Sequence, residues 1–149
     1  MIDCRGEGTA ITGWGEHTWP DSLDVMGWRV LDDGLGVMFA RDIPRIVRER
    51  LRAATVDFLS AHGIELKDID TFVCHPGGAK VIEALEEVFE LGSGGLAHSR
   101  AVLRRYGNMS APTALFVLNE ALEAGASGRH LMSALGPGFT CGLALLENG

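Results

Sequence analysis

The spacing of apolar residues changes at Asp42 from the two-residue repeat of a strand to the longer repeat of a helix. Before the change, residues 35–40 are extended in pattern, and the turn Asp32-Asp33-Gly34 makes them the second strand of a hairpin. After it, one helical face carries the apolar residues Val47, Leu51, Ala54 and Phe58. Strands that alternate with helices predict an α/β fold, and 149 residues suffice for one domain over residues 1–149.

The same patterns assign the remaining elements. Asp42 is the predicted N-cap of the first helix, Pro44 lies in its first turn, and His62-Gly63 ends it. The predicted strands are residues 9–15, 25–30, 35–40, 69–75, 131–135 and 141–146, and the later helices are residues 81–89, 99–106 and 114–118. Ser110 is a predicted N-cap for the last helix, which is apolar on all sides and is therefore predicted to be buried.

Composition and charge exclude several classes of function. The net charge of −7 opposes nucleic-acid binding, which needs clustered Lys and Arg. No apolar run is long enough to span a membrane, and the polar residues 1–7 do not resemble a secretory signal. The cysteines Cys4, Cys74 and Cys141 are too far apart for a CxxC pair or a metal cluster. We therefore expect a globular cytoplasmic protein with free thiols and no metal, membrane or nucleic-acid partner.

Two polar residues stand where loops follow apolar segments. His75 ends the predicted strand 69–75 and precedes Gly77-Gly78, at the strand end where ligands gather in α/β sheets. Asn108 lies in a tight loop before the apolar helix. Taken singly, His75 is more often a structural histidine, and Asn108 is more often a turn residue or a helix cap. Neither residue defines a function by itself.

Several segments, in the same order, resemble those of type III (chalcone synthase-like) polyketide synthases, the bacterial members in particular. Cys74-His75-Pro76-Gly77-Gly78 resembles their His-Pro-Gly-Gly segment, and Tyr106-Gly107-Asn108-Met109-Ser110 resembles their Gly-Asn-Met-Ser segment. Leu135-Gly136-Pro137-Gly138-Phe139 is similar to their C-terminal Gly-Pro-Gly loop. The upstream segments that add to the resemblance are Thr18-Trp19-Pro20-Asp21, Met26-Gly27-Trp28 and Arg41-Asp42-Ile43-Pro44.

The resemblance implies one half of a thiolase-like fold, a mixed β-sheet with helices on both faces. It also implies a role in carbon–carbon bond formation, in which His75 and Asn108 are N–H donors to the thioester oxygen of malonyl-CoA during decarboxylation and Claisen condensation. The implied substrate-binding residues are Gly136, Pro137, Gly138 and Phe139. Acyl-CoA and malonyl-CoA are the implied substrates, and no cofactor or metal is implied.

The nucleophilic cysteine of the family lies ahead of the residues that match here, so the resemblance places it outside this chain. Cys74 adjoins His75 in a strand, and the two side chains should point to opposite faces. Cys141 is expected in the core, and Cys4 lies in a polar leader. We expect that the isolated chain is inactive, and that it pairs with the N-terminal synthase half or self-associates through an exposed apolar face.

Two alternatives remain open at the level of sequence. An initiating ketoacyl synthase shares the Cys-His-Asn chemistry but usually reads His-Gln-Ala-Asn where this chain has His75-Pro76-Gly77-Gly78. A non-catalytic binding or dimerisation module would not depend on His75 for acyl-CoA binding.

The sequence also allows two interpretations of the cations of the first helix. Arg45, Arg48 and Arg52 share a face and could contact coenzyme A phosphates. The interleaved Asp42 and Glu49 favour a solvated face instead.

Overall fold

The computed structural model describes residues 8–149, in which the strands form a four-stranded mixed sheet and a separate hairpin. The strands are β1 (Ala10–Thr18), β2 (Met26–Leu31), β3 (Gly34–Phe39), β4 (Thr71–Cys74), β5 (Gly128–Gly136) and β6 (Thr140–Asn148). The helices are α1 (Ile43–Ala61), α2 (Ala79–Val88), α3 (Ala97–Tyr106) and α4 (Pro112–Glu123), with a 3₁₀ turn at Leu66–Asp68. The sheet order is β1-β6-β5-β4, where β4 and β5 are parallel and the other pairs are antiparallel.

Side chains that alternate along the strands supply two apolar layers, one on each face of the sheet. Val73 packs with Val102 of α3 and Val117 of α4. The next residue, Cys74, packs in the larger core that includes Leu51 of α1 and other residues of α1 and α2. Helices therefore cover both faces of a mixed sheet, and the predicted α/β class is confirmed.

The predicted ends of α1 are confirmed, although the N-terminal cap works differently. Asp42 occupies the N-cap position without capping a backbone N–H, and its carboxylate instead accepts a hydrogen bond from Arg45 at 2.6 Å. Pro44 lies in the first turn, where its missing N–H costs nothing. His62 is the C-cap, and Gly63 follows it with a φ of 69°.

Two glycines of β1 allow the end of α1 to lie close to the sheet. A Cβ on Gly13 would lie 2.6 Å from Nε2 of His62, and one on Gly15 would lie 3.0 Å from the ring of Phe58. The first distance is shorter than Cβ contacts allow and the second is tight, so the two glycines leave space for α1 on one face of β1, while Trp14 lies on the other face.

Helix α4 differs from its prediction in two ways. Its N-cap is Ala111 rather than Ser110, which has a φ of 65° in the preceding loop. The helix is also not wholly buried, because Leu115 and Phe116 are 58% and 42% exposed while Val117 is buried. An apolar helix face is normally buried, yet no element of residues 8–149 covers this outer face of α4.

Candidate active site

His75 is the first residue after β4 and is positioned by backbone hydrogen bonds. Its N–H donates to the carbonyl oxygen of Ser133 at 2.8 Å, which extends the pairing of β4 with β5. The preceding carbonyl, that of Cys74, accepts a hydrogen bond from Oγ of Ser99 in α3 at 2.7 Å. The imidazole is half-buried, and its Nδ1 has no hydrogen-bond partner among the described residues. Burial lowers the pKa of His75, so the neutral ring is favoured.

The side chain of Asn108 is oriented by its own loop. Oδ1 accepts a hydrogen bond from the N–H of Ser110 at 2.8 Å, and Nδ2 donates to the carbonyl oxygen of Gly77 at 3.3 Å. The N–H of Met109 donates to Oγ1 of Thr113 at 2.8 Å, which anchors the loop to α4. A carboxamide has two N–H donors, and one of them is left for a ligand.

His75 and Asn108 line the same cavity, which has a volume of about 300 Å³. Its apolar walls come from the hairpin, α1, α2 and β5, and comprise Met26, Phe39, Ile43, Pro44, Val81 and Leu135. Besides the His75 and Asn108 side chains, Ser110 contributes to the lining. An apolar cavity with a few convergent polar groups is the usual form of a small-molecule site.

The four residues predicted to bind substrate, Gly136, Pro137, Gly138 and Phe139, occupy different environments in the structure. Gly136 lines a second cavity of about 250 Å³ that also contacts His75. Gly138 and Phe139 support β2 and the loop before it. The N–H of Gly138 donates to the carbonyl oxygen of Met26, the first residue of β2, at 3.0 Å, and the N–H of Phe139 donates to Oγ of Ser22 in the loop at 2.9 Å. Pro137 is exposed at the turn.

The described cysteines are in the wrong environment for a nucleophile. Cys74 and Cys141 are fully buried in the core that faces α1 and α2. Burial raises the pKa of each thiol to about 12, so neither forms a thiolate near neutral pH. Cys4 lies outside the described residues.

A metal centre and a membrane span are both without support in residues 8–149. No three His, Cys, Asp or Glu side chains there are grouped as ligands for a metal ion. Among those residues, no helix combines the length and the apolar character that crossing a membrane requires.

The residues that form the walls of the cavity were not predicted as site residues from the sequence. Met26, Ile43 and Pro44 belong to segments that were recognised only as part of the family resemblance, and Phe39 and Val81 were assigned to structural elements. The closeness of Arg41-Asp42-Ile43-Pro44 to the His75 loop could not be read from spacing, because it depends on the crossing of α1 and α2.

The fold is shared with two solved structures. A polyketide synthase, PKS-I, from the brown alga Ectocarpus siliculosus aligns with a TM-score of 0.89 at 22% identity, over 99% of this chain and 41% of that one. The 1,3,6,8-tetrahydroxynaphthalene synthase of Streptomyces coelicolor A3(2) aligns with a TM-score of 0.87 at 24% identity, over 96% and 42%. The domain is therefore of the thiolase-like class, as the sequence predicted.

Sequence comparison identifies the family within that class. Residues 15–147 match the family described as chalcone and stilbene synthases, C-terminal domain. The chain is 42% identical to a putative chalcone synthase of Bacillus subtilis over 129 residues, which cover 85% of this chain and 35% of that protein. It is 36% identical to a 1,3,6,8-tetrahydroxynaphthalene synthase of Streptomyces peucetius over 136 residues, covering 88% and 36%. The chain belongs to the chalcone and stilbene synthase family of type III polyketide synthases, and it spans about a third of the length of these relatives.

Proposed function

We propose that this chain supplies the two oxyanion donors of a type III polyketide synthase, His75 and Asn108, while the nucleophilic cysteine comes from polypeptide outside these 149 residues. The observation that carries this proposal is that both side chains line one apolar cavity although they follow different elements, β4 and α3. Each has N–H capacity that residues 8–149 leave unused.

The chemistry follows from the charge that develops on the substrate. Malonyl-CoA loses CO2 as its carboxylate C–C bond breaks, and the electron pair moves onto the thioester oxygen as an enolate. N–H donors at Asn108 and His75 stabilise that oxygen, most effectively in a cavity with apolar walls. The enolate carbon then attacks the acyl-cysteine thioester, a carbon–carbon bond forms, and the cysteine leaves as thiolate.

The neutral form of His75 suits its role as a hydrogen-bond donor to the thioester oxygen. In the assembled enzyme the same ring can also act as the partner of the cysteine thiolate. A neutral imidazole donates one N–H without a counter-charge. A thiolate brought next to the ring would favour the imidazolium form, and the ion pair would in turn lower the pKa of the cysteine.

An uncovered apolar surface supports the pairing of this chain with another polypeptide. Trp14 of β1 is 79% exposed and, opposite Ala144 in the β1–β6 pairing, lies on the sheet face that carries α4. On α4 itself, Leu115 and Phe116 are exposed, and the ring of Tyr106 meets that of Phe116 at 5.1 Å. We propose that the nucleophile-bearing half covers this surface, and that a second copy covers it when that half is missing.

The test measures release of CO2 from malonyl-CoA by this chain after co-expression with a cysteine-bearing N-terminal half of the family. His75→Ala and Asn108→Ala should each lower the rate about 10²–10³-fold, since each removes one donor. Ser60→Ala, at an exposed position of α1 that does not line the cavity, is the control and should retain full activity.

Two results would contradict the proposal. Unchanged acyl-CoA binding and turnover in both site variants would favour a non-catalytic binding or dimerisation module. Steady CO2 release by the isolated chain that His75→Ala abolishes would show that the external cysteine is not needed.

A further inference from the structure

We propose that Ser22 is a positioning residue, which holds the β2–β3 hairpin against the turn between β5 and β6 and thereby fixes one wall of the cavity for the acyl substrate. This role rests on the proposed function, because it concerns the shape of the site in which that reaction occurs. It belongs to a buried hydroxyl that neither the family resemblance nor the oxyanion chemistry uses.

The Ser22 side chain lies where two loops meet. Ser22 is 2% exposed, and its Oγ accepts a hydrogen bond from the N–H of Phe139 at 2.9 Å. The same hydroxyl is within hydrogen-bond distance of the carbonyl oxygens of Trp19 and Gly138, the latter at 3.0 Å. Because a serine hydroxyl has one proton and two lone pairs, the two carbonyls share that proton. One side chain therefore joins the loop before β2 to the turn between β5 and β6.

Backbone hydrogen bonds connect this junction to the hairpin. The N–H of Val25 donates to the carbonyl oxygen of Ser22 at 3.1 Å, and the N–H of Ala40 donates to that of Val25 at 2.8 Å. From the turn, the N–H of Gly138 donates to the carbonyl oxygen of Met26 at 3.0 Å. The start of β2 and the end of β3 are thus both linked to Ser22.

The hairpin needs these links at its base, because β2 and β3 form a two-stranded sheet of their own. Met26 packs against the core, whereas Trp28 and Val30, farther along β2, are 56% and 83% exposed. A two-stranded hairpin is at best marginally stable by itself in water. Met26 and Phe39, which are paired across the base, both line the cavity. A shift of the base would therefore move this wall.

The expected consequence for the reaction is selective. His75 and Asn108 are held by β5 and by the loop before α4, so the two donors are positioned independently of the hairpin. A long apolar acyl group on a cysteine beside His75 would contact the hairpin wall, whereas the two carbons of an acetyl group would gain little from it. Removal of the Ser22 hydroxyl leaves a buried N–H without its acceptor, so the base of the hairpin should loosen.

The first measurement is amide hydrogen exchange in this chain, for the parent, for Ser22→Ala and for the matched control Ser60→Ala at an exposed position of α1. We expect the amides of Ala40 and Gly138 to exchange about tenfold faster in Ser22→Ala and at the parent rate in the control. Unchanged exchange at these amides, or an equal acceleration throughout α1, would overturn the role of Ser22 whether or not the chain is active.

The second measurement is acylation of the cysteine by hexanoyl-CoA and by acetyl-CoA, followed by mass spectrometry in the complex with a cysteine-bearing N-terminal half. Ser22→Ala should raise the half-saturating concentration of hexanoyl-CoA about tenfold and that of acetyl-CoA less than about twofold, because only the longer chain loses apolar contacts. Equal changes for the two probes would overturn the role of Ser22 alone. A parent complex that neither probe acylates would contradict the proposed function, and the exchange rates would still decide the role of Ser22.

Discussion

His75 is positioned by backbone hydrogen bonds rather than by hydrogen bonds of its ring. The N–H of His75 and the carbonyl of Cys74 are both hydrogen-bonded, but Nδ1 is buried without a partner in the described chain. A buried ring nitrogen without a partner has lost its hydrogen bond to water and has no protein hydrogen bond in its place. The free-energy cost of this desolvation is greater when the ring is charged. The site therefore keeps His75 neutral at the expense of stability in acid.

This cost predicts a pH dependence of stability. Burial lowers the folded-state pKa of His75 below its ordinary value of about 6.5. As the pH falls from 6.5 toward the folded pKa, the unfolded state binds more protons, so the folded state loses stability in that window. A tenfold difference in proton affinity between the two states corresponds to about 1.4 kcal/mol.

The measurement is the thermal midpoint between pH 7.5 and pH 5, for the parent chain and for His75→Gln. The parent should lose more stability than the variant, which has no titrating group at this position. Curves that remain parallel over the whole range would show that burial does not perturb His75.

At the scale of elements, a buried carboxylate organises the connection from α2 to α3. Oε1 of Glu86 accepts hydrogen bonds from the N–H groups of Gly94 and Leu96, each at 3.1 Å, and the Arg100 guanidinium donates to Oε2 at 2.6 Å. The hydrogen bond from Arg100 keeps the pKa of Glu86 below its ordinary value. Because α3 also carries the Ser99 hydroxyl that fixes the end of β4, this connection supports the position of His75.

Glu86→Ala should lower the free energy of unfolding by about 3 kcal/mol, because two N–H groups and one cation lose their partner together. The matched control is the next residue, Glu87, whose ion pair with Arg48 is exposed. Glu87→Ala should cost much less than Glu86→Ala, because an exposed ion pair is screened by solvent. Urea unfolding measures both values, and equal losses in the two variants would contradict the role assigned to Glu86.

The elements were largely predictable, whereas their contacts were not. The 3.6-residue pattern and the Pro44 and Gly63 signals located α1, since such signals are local to the chain. The Glu86 contacts depend on how a loop folds back on α2, and a glutamate in a helix looks the same in the sequence whether it is buried or exposed. Likewise, the motifs indicated His75 and Asn108, but the cavity between them requires the packing of the hairpin, α1 and α2.

At the scale of the molecule, the apolar surface of α4 and β1 distinguishes this chain from a self-sufficient globule. The apolar pattern of residues 114–118 predicted complete burial, yet Leu115 and Phe116 are exposed. The pattern and the structure agree if the sequence is adapted to an assembly larger than residues 8–149. On that basis the proposed partner is recognised by the whole apolar face rather than by His75 and Asn108.

Phe116→Glu should abolish association of the chain with itself or with a cysteine-bearing half, because a carboxylate would have to be desolvated in the interface. Light scattering at micromolar concentration measures the change, and the parent should be larger than a monomer. Ser60→Glu places the same charge on an exposed polar position of α1, on the other face of the sheet, and should leave association intact. A compact monomer in the parent chain would remove the basis of this prediction.

The pairing of β1 with β6 joins the beginning of the chain to its end. Thr18 and Thr140, whose hydroxyls are hydrogen-bonded at 2.8 Å, are 122 positions apart. A ribosome adds about 10 residues per second, so β1 leaves the exit tunnel roughly ten seconds before the strand that completes its pairing. During that interval a strand carrying Ile11 and Trp14 has unpaired backbone on both edges, so the nascent chain needs protection from aggregation until β6 has been synthesised.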